Sequence, residues 1–330
     1  MKLSYLDLQT TDPAVNLATE EYVFNSLPTD RMYLILWQND NAIIIGKHQN
    51  TLSQINEAFV KDHNIRVVRR LSGGGAVYHD MGNLNFTIIA DVQGNSLDFG
   101  RFCDMVIAAL AKVGICAQRN GRNDMTIDGK KFSGNAQYVK NGRVMHHGTI
   151  LFDSDTSVLA GALQVDEKKI KAKGVDSVRS RVTNVRPYLP IDIPLSAFRK
   201  ILLESILEQF PGTSYPLDSQ DWEAIEKLAE SRYNTWEWNY GHSPACTMEK
   251  RRRIEGCGMV EAYLSMEQGR IRQISFRGDF FSYADPAQLG RLLAGCRLEP
   301  EDLRHALANT EISRYFMGLD LNTFLEILTG

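Results

Sequence analysis

The sequence predicts an α+β fold in two domains, a large one over residues 1–243 and a small one over residues 244–330. Three observations lead there. The 330 residues are 43% hydrophobic and 23% charged, a globular composition long enough for one large core and a second, smaller one. Short β-rich runs are interrupted by helical stretches and joined by hairpin turn signals. A stretch of poor periodicity at residues 233–247, crowded with Trp236, Trp238, Gly241 and Pro244, separates two patterns of strands followed by helices.

The chain opens with a strand at Tyr5-Leu6-Asp7-Leu8. A helix follows, capped by Asp12 with Pro13 at its first position, and Val15, Ala18 and Tyr22 share one of its faces. Strands are expected over residues 32–37, 42–45, 66–69, 76–78 and 84–90, with a helix near 55–62 among them and another over 98–113. Asp128-Gly129 and Asn141-Gly142 supply the positive φ angles of type I′ turns, joining strands over 124–127, 131–138 and 143–152. Helices over 195–209 and 218–231 complete the large domain. In the small one, strands over 253–264 and 271–276 turn at Gln268-Gly269, and helices fill 286–294, 300–308 and 319–328.

Several classes are excluded. No apolar run approaches the ~18 residues that a bilayer requires, and Lys112 interrupts the nearest, residues 105–117. Asp7 falls where a signal peptide needs an unbroken apolar core, so the cytoplasm is the expected location. Cys103, Cys116, Cys246, Cys257 and Cys296 are odd in number and contain no Cys-x-x-Cys pair, which speaks against a disulfide framework or a structural zinc site. A net charge of −3 offers no bulk attraction to nucleic acid. The charge is uneven, however. Residues 118–147 carry six Lys/Arg against Asp124 and Asp128, and residues 167–186 carry seven against Glu167 and Asp176. Two basic islands in an acidic chain point to a concentrated anionic ligand.

The strongest local signal is Arg69-Arg70-Leu71-Ser72-Gly73-Gly74-Gly75-Ala76-Val77-Tyr78-His79-Asp80. Three consecutive glycines let a chain turn sharply and bring bare N–H groups close to a ligand. The arginines offer forks for carboxylate or phosphate. A tight turn without a ligand is the plainer reading of the same pattern. No Gly-Lys-Ser/Thr follows, so this is not a Walker loop, and the Gly-x-Gly-x-x-Gly of a Rossmann fold is missing. Gly82-Asn83-Leu84-Asn85-Phe86 adds two amides that orient a polar ligand or simply serve a turn.

A second signal combines Gly121-Arg122-Asn123-Asp124 with Asp128-Gly129-Lys130-Lys131-Phe132-Ser133-Gly134-Asn135-Ala136. Read as a hairpin, the Asp-Gly turn sets Asp124 and Lys131 on adjacent strands. A carboxylate able to hold Mg²⁺ beside a lysine able to meet a phosphate is what nucleotide chemistry needs. Alone, Lys131 reads as a solvated lysine after a turn. The small residues Ser133 and Gly134 leave room for a close ligand. His146 and His147, adjacent in a strand, point to opposite faces, so at most one faces a site. Zinc is not expected.

Taken in order, these segments resemble the lipoate–protein ligase family within the biotin/lipoate ligase superfamily. The match runs through the Arg69–Asp80 segment, Gly82-Asn83-Leu84-Asn85, Gly121-Arg122-Asn123-Asp124 and Lys131-Phe132-Ser133-Gly134-Asn135-Ala136. It continues through His146-His147-Gly148-Thr149 and Lys173-Gly174-Val175-x-Ser177-Val178-x-Ser180-Arg181-Val182-x-Asn184. Six motifs in order cover essentially the whole chain, and the small domain is similar to the accessory domain of the two-domain bacterial ligases.

The resemblance implies a catalytic domain of mixed sheets flanked by helices, and a reaction in two halves. Lipoate and MgATP give lipoyl-AMP and pyrophosphate. The lipoyl group then passes to a lysine on a carrier domain of a 2-oxoacid dehydrogenase E2 or of the glycine cleavage H protein. ATP and Mg²⁺ are then co-substrates, with no tightly bound prosthetic group, no nucleic-acid or membrane partner, and a monomer as the expected state. Like charges ~4 Å apart repel by ~4 kcal/mol at an effective dielectric of ~20, so the first step calls for cations and oriented donors.

On that logic Arg70 and Lys131 neutralise charge. The resemblance further implies that Lys131 is the catalytic residue, bridging the lipoate carboxylate and the α-phosphate, and it assigns the binding positions that follow. Gly75, Ala76, Val77 and Tyr78 line the adenine and phosphate site, while Ser72, Gly73, Gly74 and His79 flank the lipoyl end. Asn83, Asn85, Ser133, Gly134, His147 and Gly148 complete the binding set. Asp124 is the expected Mg²⁺ ligand, with Asn123 or Asn85 nearby, and Val68 and Val77 are candidates for an aliphatic slot. The resemblance makes Lys173, Gly174, Val175, Ser177, Val178 and Arg181 part of an adenylate-binding loop that shields the intermediate, although composition alone describes a solvated loop.

An octanoyl- or lipoyltransferase of the same superfamily would need a catalytic cysteine. Neither Cys103, in an apolar helical stretch, nor Cys116, at its edge, has the basic setting that lowers a thiol pKa. A biotin ligase would carry a different glycine–arginine fingerprint at residues 69–75. A non-catalytic lipoate- or carrier-binding protein is the reading of a different class, and an activity assay separates it.

Overall fold

The computed structural model describes residues 2–91, 99–120, 123–163, 182–243, 245–278, 280 and 282–330. In chain order its elements begin β1 (Lys2–Asp7), α1 (Pro13–Ser26), β2 (Arg31–Trp37), β3 (Ala42–Ile45), α2 (Glu57–Asp62), β4 (Arg66–Arg69), β5 (Val77–His79) and β6 (Asn83–Asp91). Then come α3 (Phe99–Lys112), β7 (Ala117–Asn120), β8 (Asp124–Ile127), β9 (Lys130–Lys140), β10 (Arg143–Leu151) and α4 (Thr156–Ala162). The remainder is α5 (Leu195–Gln209), β11 (Gly212–Ser214), α6 (Ser219–Leu228), β12 (Cys246–Ile254), β13 (Gly258–Glu267), β14 (Arg270–Gly278), α7 (Ala287–Leu293), α8 (Pro300–Ala306) and α9 (Leu321–Thr329). Two compact units result: residues 1–47 with 65–235, and residues 48–64 with 236–330.

The first unit is built on a mixed sheet in the order β11-β1-β2-β6-β10-β9-β8-β7. Its β1 runs parallel to both neighbours, and the pairs from β2 to β7 are antiparallel. A small sheet, β4-β3-β5, accompanies it. Residues alternate between the faces of a strand, and β6 shows what that means here. Leu84, Phe86 and Ile88 enter the apolar core with Phe102, Val106 and Leu110 of α3 and Phe198, Leu202 and Ile206 of α5. Burying each such side chain is worth roughly 1.5–3 kcal/mol. Asn83, Asn85 and Thr87 point to the opposite face and are buried as well. A strand covered on both sides yet polar on one of them marks the face that holds a site.

Asp12 caps α1 as expected, its Oδ1 accepting from Ala14 N at 2.8 Å and Val15 N at 3.2 Å. The expected single buried face is not what forms. Asn16, Thr19, Glu20 and Glu21 are buried together with Leu17, Ala18, Val23 and Phe24, whereas Val15 and Tyr22 are only half-buried. The helix packs against β2, β4 and β6 and also against α6 and the turn after it. Its polar groups are compensated by bonds: Asn16 Nδ2 donates to Gln38 O at 2.8 Å, and Tyr233 Oη donates to Glu21 Oε2 at 2.8 Å. Burial and Glu21 push the Tyr233 phenol well up.

The hairpin turns form as their dipeptides demand, with positive φ at Asp128 and Gly129 and at Asn141 and Gly142. In the second unit β12-β13-β14 form an antiparallel sheet. The single strand expected over residues 253–264 is two strands that turn at residues 255–257, with Gly256 and Gly258 at positive φ. Lys250-Arg251-Arg252-Arg253 hides the first of them, since an edge strand needs no apolar alternation. Val260, Ala262, Leu264 and Met266 of β13 face a core where Phe276, Phe316 and Phe324 meet with ring centroids 5.3–5.6 Å apart. Among the described residues no helix is long and apolar enough to cross a membrane.

Candidate active site

The arginine–glycine segment leaves β4 and enters β5 of the small sheet. Of its three glycines only Gly74 takes a positive φ, +94°. Arg70 is buried beneath this loop and makes four hydrogen bonds within the protein. Its Nε donates to Ser72 Oγ at 3.0 Å and its Nη1 to Ile44 O at 3.0 Å. Its Nη2 reaches Gly73 O at 2.7 Å and Gly75 O at 2.9 Å. Among the described residues no carboxylate is paired with it. Burial pulls it down to about 10, which still leaves it charged at neutral pH. Arg70 thus braces the glycine loop from within and places a positive charge behind it.

The large sheet supplies the opposite wall. Its register brings Trp37 of β2, Asn85 of β6 and Thr149 of β10 into one rank. Gly134 N of β9 donates to Thr149 Oγ1 at 3.2 Å, and Asp124 of β8 pairs with Gly134. The next rank holds Ile35, Thr87, His147 and Ala136. Lys131 Nζ lies 2.7 Å from Asp124 Oδ1, the cross-strand pair that the Asp-Gly turn implies. A Cβ on Gly134 would come within 3.0 Å of that Nζ, so glycine there leaves the path of the lysine side chain open. The Lys131 carbonyl accepts from Thr183 N at 2.8 Å, which ties its backbone to the returning chain.

Two adjoining cavities result. One, of about 130 Å³, is lined by Leu17, Trp37 and Ile44 on its apolar side and by Arg70, His79, Asn85, Asn123, Asn135 and His147 among its polar groups. The other, of about 200 Å³, is mainly apolar, with Tyr78, Leu151, Leu159, Leu163 and Val182 in its wall. Ala76, Val77, Lys131, Gly134 and Thr149 line both. Lys131 therefore stands where the two spaces meet.

Most residues singled out in the sequence come together here. Gly74, Gly75 and Gly148 line the first cavity, and Ser133 the second. Ser72, Gly73, Asn83 and Asp124 line neither but are bonded to residues that do: His147, Arg70, Asn85 and Lys131 respectively. Val77 faces both cavities, whereas Val68 is buried in the small sheet away from them. Gly121 and Arg122, and the loop residues Lys173, Gly174, Val175, Ser177, Val178 and Arg181, lie outside the described residues. The sequence reading missed Leu17, Trp37, Ile44 and the second cavity's leucines, because apolar spacing marks such residues only as core. It also missed Glu20 and Thr87, for which no local signal exists.

Glu20, only 1% exposed, anchors a buried chain of hydrogen bonds. Ser72 Oγ lies 2.6 Å from His147 Nε2, and His147 Nδ1 lies 2.9 Å from Glu20 Oε1. Thr87 Oγ1 donates to the same carboxylate and accepts from Trp37 Nε1 at 2.9 Å. His146 turns the other way, toward Gln137, Asn135 and the rings of Phe86 and Phe102. Burial drives His146 down to about 3, with His147 adding to the effect. Burial drives His79 to about 3 as well, helped by Arg70 and His147.

Both rings are therefore neutral when folded, while an unfolded chain takes up their protons near 6.5. Between about 3 and 6.5 the unfolded state binds more protons, so stability falls as pH is lowered. The expected loss is about 1 kcal/mol per histidine between pH 6.5 and 5.5. Urea midpoints across that range measure it, and a flat midpoint would contradict neutral burial.

Among the described residues no three His, Cys, Asp or Glu side chains gather into a closed metal site. Asp124 is a carboxylate bonded to Lys131, which lines both cavities, and the Asn123 and Asn85 amides are in the first cavity's wall. Such a set suits a hard cation that keeps its waters and takes phosphate oxygens for its other positions. Cys103 and Cys257 are buried, Cys116 is exposed and Cys296 is intermediate. None of these four lines either cavity.

Residues 12–207 match the lipoyl protein ligase A/B catalytic domain, and residues 243–328 match the bacterial lipoate protein ligase C-terminus. Lipoate–protein ligase 1 of Staphylococcus aureus is 40% identical over 320 residues, 97% of each chain. Among solved structures, the bi-partite lipoate protein ligase of Thermoplasma acidophilum, described with its E2 lipoyl domain, is similar with a TM-score of 0.63 at 27% identity. That likeness covers 73% of this chain and 96% of the other. A lipoate-protein ligase A bound with ATP is similar with a TM-score of 0.62 at 25% identity, over 73% of this chain and 98% of that one.

Proposed function

The chain belongs to the lipoate–protein ligase family, and from that membership we propose how its two cavities divide the work of an ATP-dependent ligase. The enzyme activates lipoate with ATP to lipoyl-AMP and attaches the lipoyl group to a protein lysine. One observation supports the division: Lys131 lines both cavities at once. The first cavity takes the acid, its carboxylate at Lys131 and its chain toward Leu17, Trp37 and Ile44. The second takes the nucleotide, its base among Tyr78, Leu151, Leu159, Leu163 and Val182. The phosphates then pass the backbone of Gly75 and Ala76.

In the first step a carboxylate oxygen bonds to the α-phosphorus, and the bond from that phosphorus to pyrophosphate breaks. Lys131 draws the two anions together, with the charge of Arg70 behind the glycine loop. Asp124, released from Lys131, suits the Mg²⁺ that accompanies ATP, which would supply further neutralisation of the phosphates. In the second step the amine of the acceptor lysine attacks the acyl carbonyl and loses its proton, and the bond to AMP breaks. The acceptors of this reading are the lipoyl domains of 2-oxoacid dehydrogenase E2 chains and the glycine cleavage H protein. The place of reaction is the cytoplasm.

The test is to incubate the protein with an unmodified lipoyl domain, lipoate and MgATP, and to weigh the domain by intact mass spectrometry. A lipoyl mass gain that requires ATP is expected. Modification from an acylated carrier without ATP would mean a transferase, and binding without modification of any lipoyl domain would mean a non-catalytic protein.

A further inference from the structure

Beyond the residues shared with the second cavity, the first is walled by the apolar Leu17, Trp37 and Ile44 together with polar groups that include His79 and Asn85. Two nitrogens of these lining side chains, His79 Nε2 and Asn85 Nδ2, are buried with no hydrogen-bond partner among the described residues. The His79 tautomer follows from its neighbours. Asn16 turns its Nδ2 to the carbonyls of Thr10 at 3.1 Å and Gln38 at 2.8 Å, and to Asn39 Oδ1 at 2.9 Å. Asn39 must then present its own Nδ2 to His79 Nδ1, 3.1 Å away. Nδ1 accepts, so the ring proton of His79 sits on Nε2, at the opposite edge of the ring.

His79 is 3% exposed and stands edge-on to Trp37, with ring centroids 6.0 Å apart. Asn85 accepts from Asn83 Nδ2 at 2.9 Å through its Oδ1, which leaves its Nδ2 as the second donor. Sheet register places Asn85 between Trp37 and Thr149, two strand spacings or roughly 10 Å from the strand that carries Lys131. An acid held by its carboxylate at Lys131 brings the far part of its chain to these donors. Hydrocarbon offers them nothing, and a buried donor left without an acceptor is costly.

Resting on the ligase reading, we propose that His79 Nε2–H, assisted by Asn85 Nδ2, selects acyl substrates with lone pairs at the far end of the chain. The dithiolane of lipoate is then favoured over an all-carbon chain such as octanoate. Ring sulfurs are weak acceptors, but the competing chain has none, so the discrimination sets a weak bond against a stranded donor.

The deciding probe is 5-cyclopentylpentanoate, which has the ring and chain of lipoate with methylenes in place of both sulfurs. Its kcat/KM is compared with those of lipoate and octanoate on the full chain, by ATP-dependent acylation of a lipoyl domain. Lipoate is expected to be used about tenfold better than the carbocycle. His79→Phe brings that ratio toward one, chiefly by weakening the use of lipoate. Because His79→Phe also removes the acceptor of Asn39, Asn85→Val is run beside it and lowers the ratio in part. Equal or better use of the carbocycle by the wild type overturns the proposal, since a purely apolar slot favours the more hydrophobic ring. A tenfold preference that persists in both folded variants overturns it too. Failure of all three acids with ATP would instead sink the ligase reading, an outcome distinct from either.

Discussion

Lys131→Ala is expected to lower ATP-dependent lipoylation by roughly 10²–10³-fold while the protein stays folded. The two halves of that expectation have separate grounds. The Lys131 side chain is 39% exposed and its pairing is with the half-exposed Asp124, an arrangement worth at most ~1 kcal/mol to stability. Its removal leaves no buried group stranded. The reaction, in contrast, requires a carboxylate to approach a polyphosphate at the one place where both cavities present the same ammonium. Lys131→Arg should not restore the rate. A planar guanidinium is broader than an ammonium, and the Lys131 side chain passes over Gly134 so closely that a Cβ there would come within 3.0 Å of Nζ. Intact-mass lipoylation rates, read beside thermal melts, check both parts. More than a tenth of the wild-type rate in Lys131→Ala would remove this residue from the centre of the mechanism.

The second large effect is on stability. Glu20→Ala is expected to cost about 2–4 kcal/mol, although Glu20 lies in the middle of α1 and touches no solvent. Two donors, His147 Nδ1 and Thr87 Oγ1, converge on its carboxylate. Without it both are left buried and unpaired. The damage should also spread to the site, because the same chain of bonds runs through Ser72 to Arg70 on one side and through Thr87 to Trp37 on the other. Glu20→Gln keeps the shape and one acceptor, and should fall between wild type and alanine. Urea unfolding of the three proteins decides this. A Glu20→Ala midpoint within error of wild type would mean that the carboxylate contributes nothing there.

The two predictions differ in where they could have been read. Lys131 could be singled out in the sequence, where an Asp-Gly turn sets it beside Asp124 with small residues after it, and the family resemblance supplied its role. Glu20 could not be singled out. Nothing within α1 distinguishes Glu20 from a solvated helical glutamate, and the residues expected to face the core, Val15 and Tyr22, proved less buried than Glu20 itself. The helix is enclosed on several sides, and that enclosure comes from strands and helices far along the chain.

Residues acting on their own neighbours were determined by sequence alone. The positive φ angles at residues 128–129 and 141–142, the Asp12 cap and the turn capacity of the glycine run follow from backbone sterics and short-range hydrogen bonds, whose reach is a few residues. Six ordered motifs added the family to which the chain belongs. Only the tertiary structure decided which side of each strand became the site. Trp37, Asn85 and Thr149 meet in one rank because β2, β6 and β10 pair in a particular register, and a slip of any one strand by one residue would turn its member into the opposite core. It also decided that Arg70 braces a loop and that His79 offers its Nε2 proton to a cavity. Such roles depend on which partners burial leaves to a polar atom, and those partners come from distant parts of the chain.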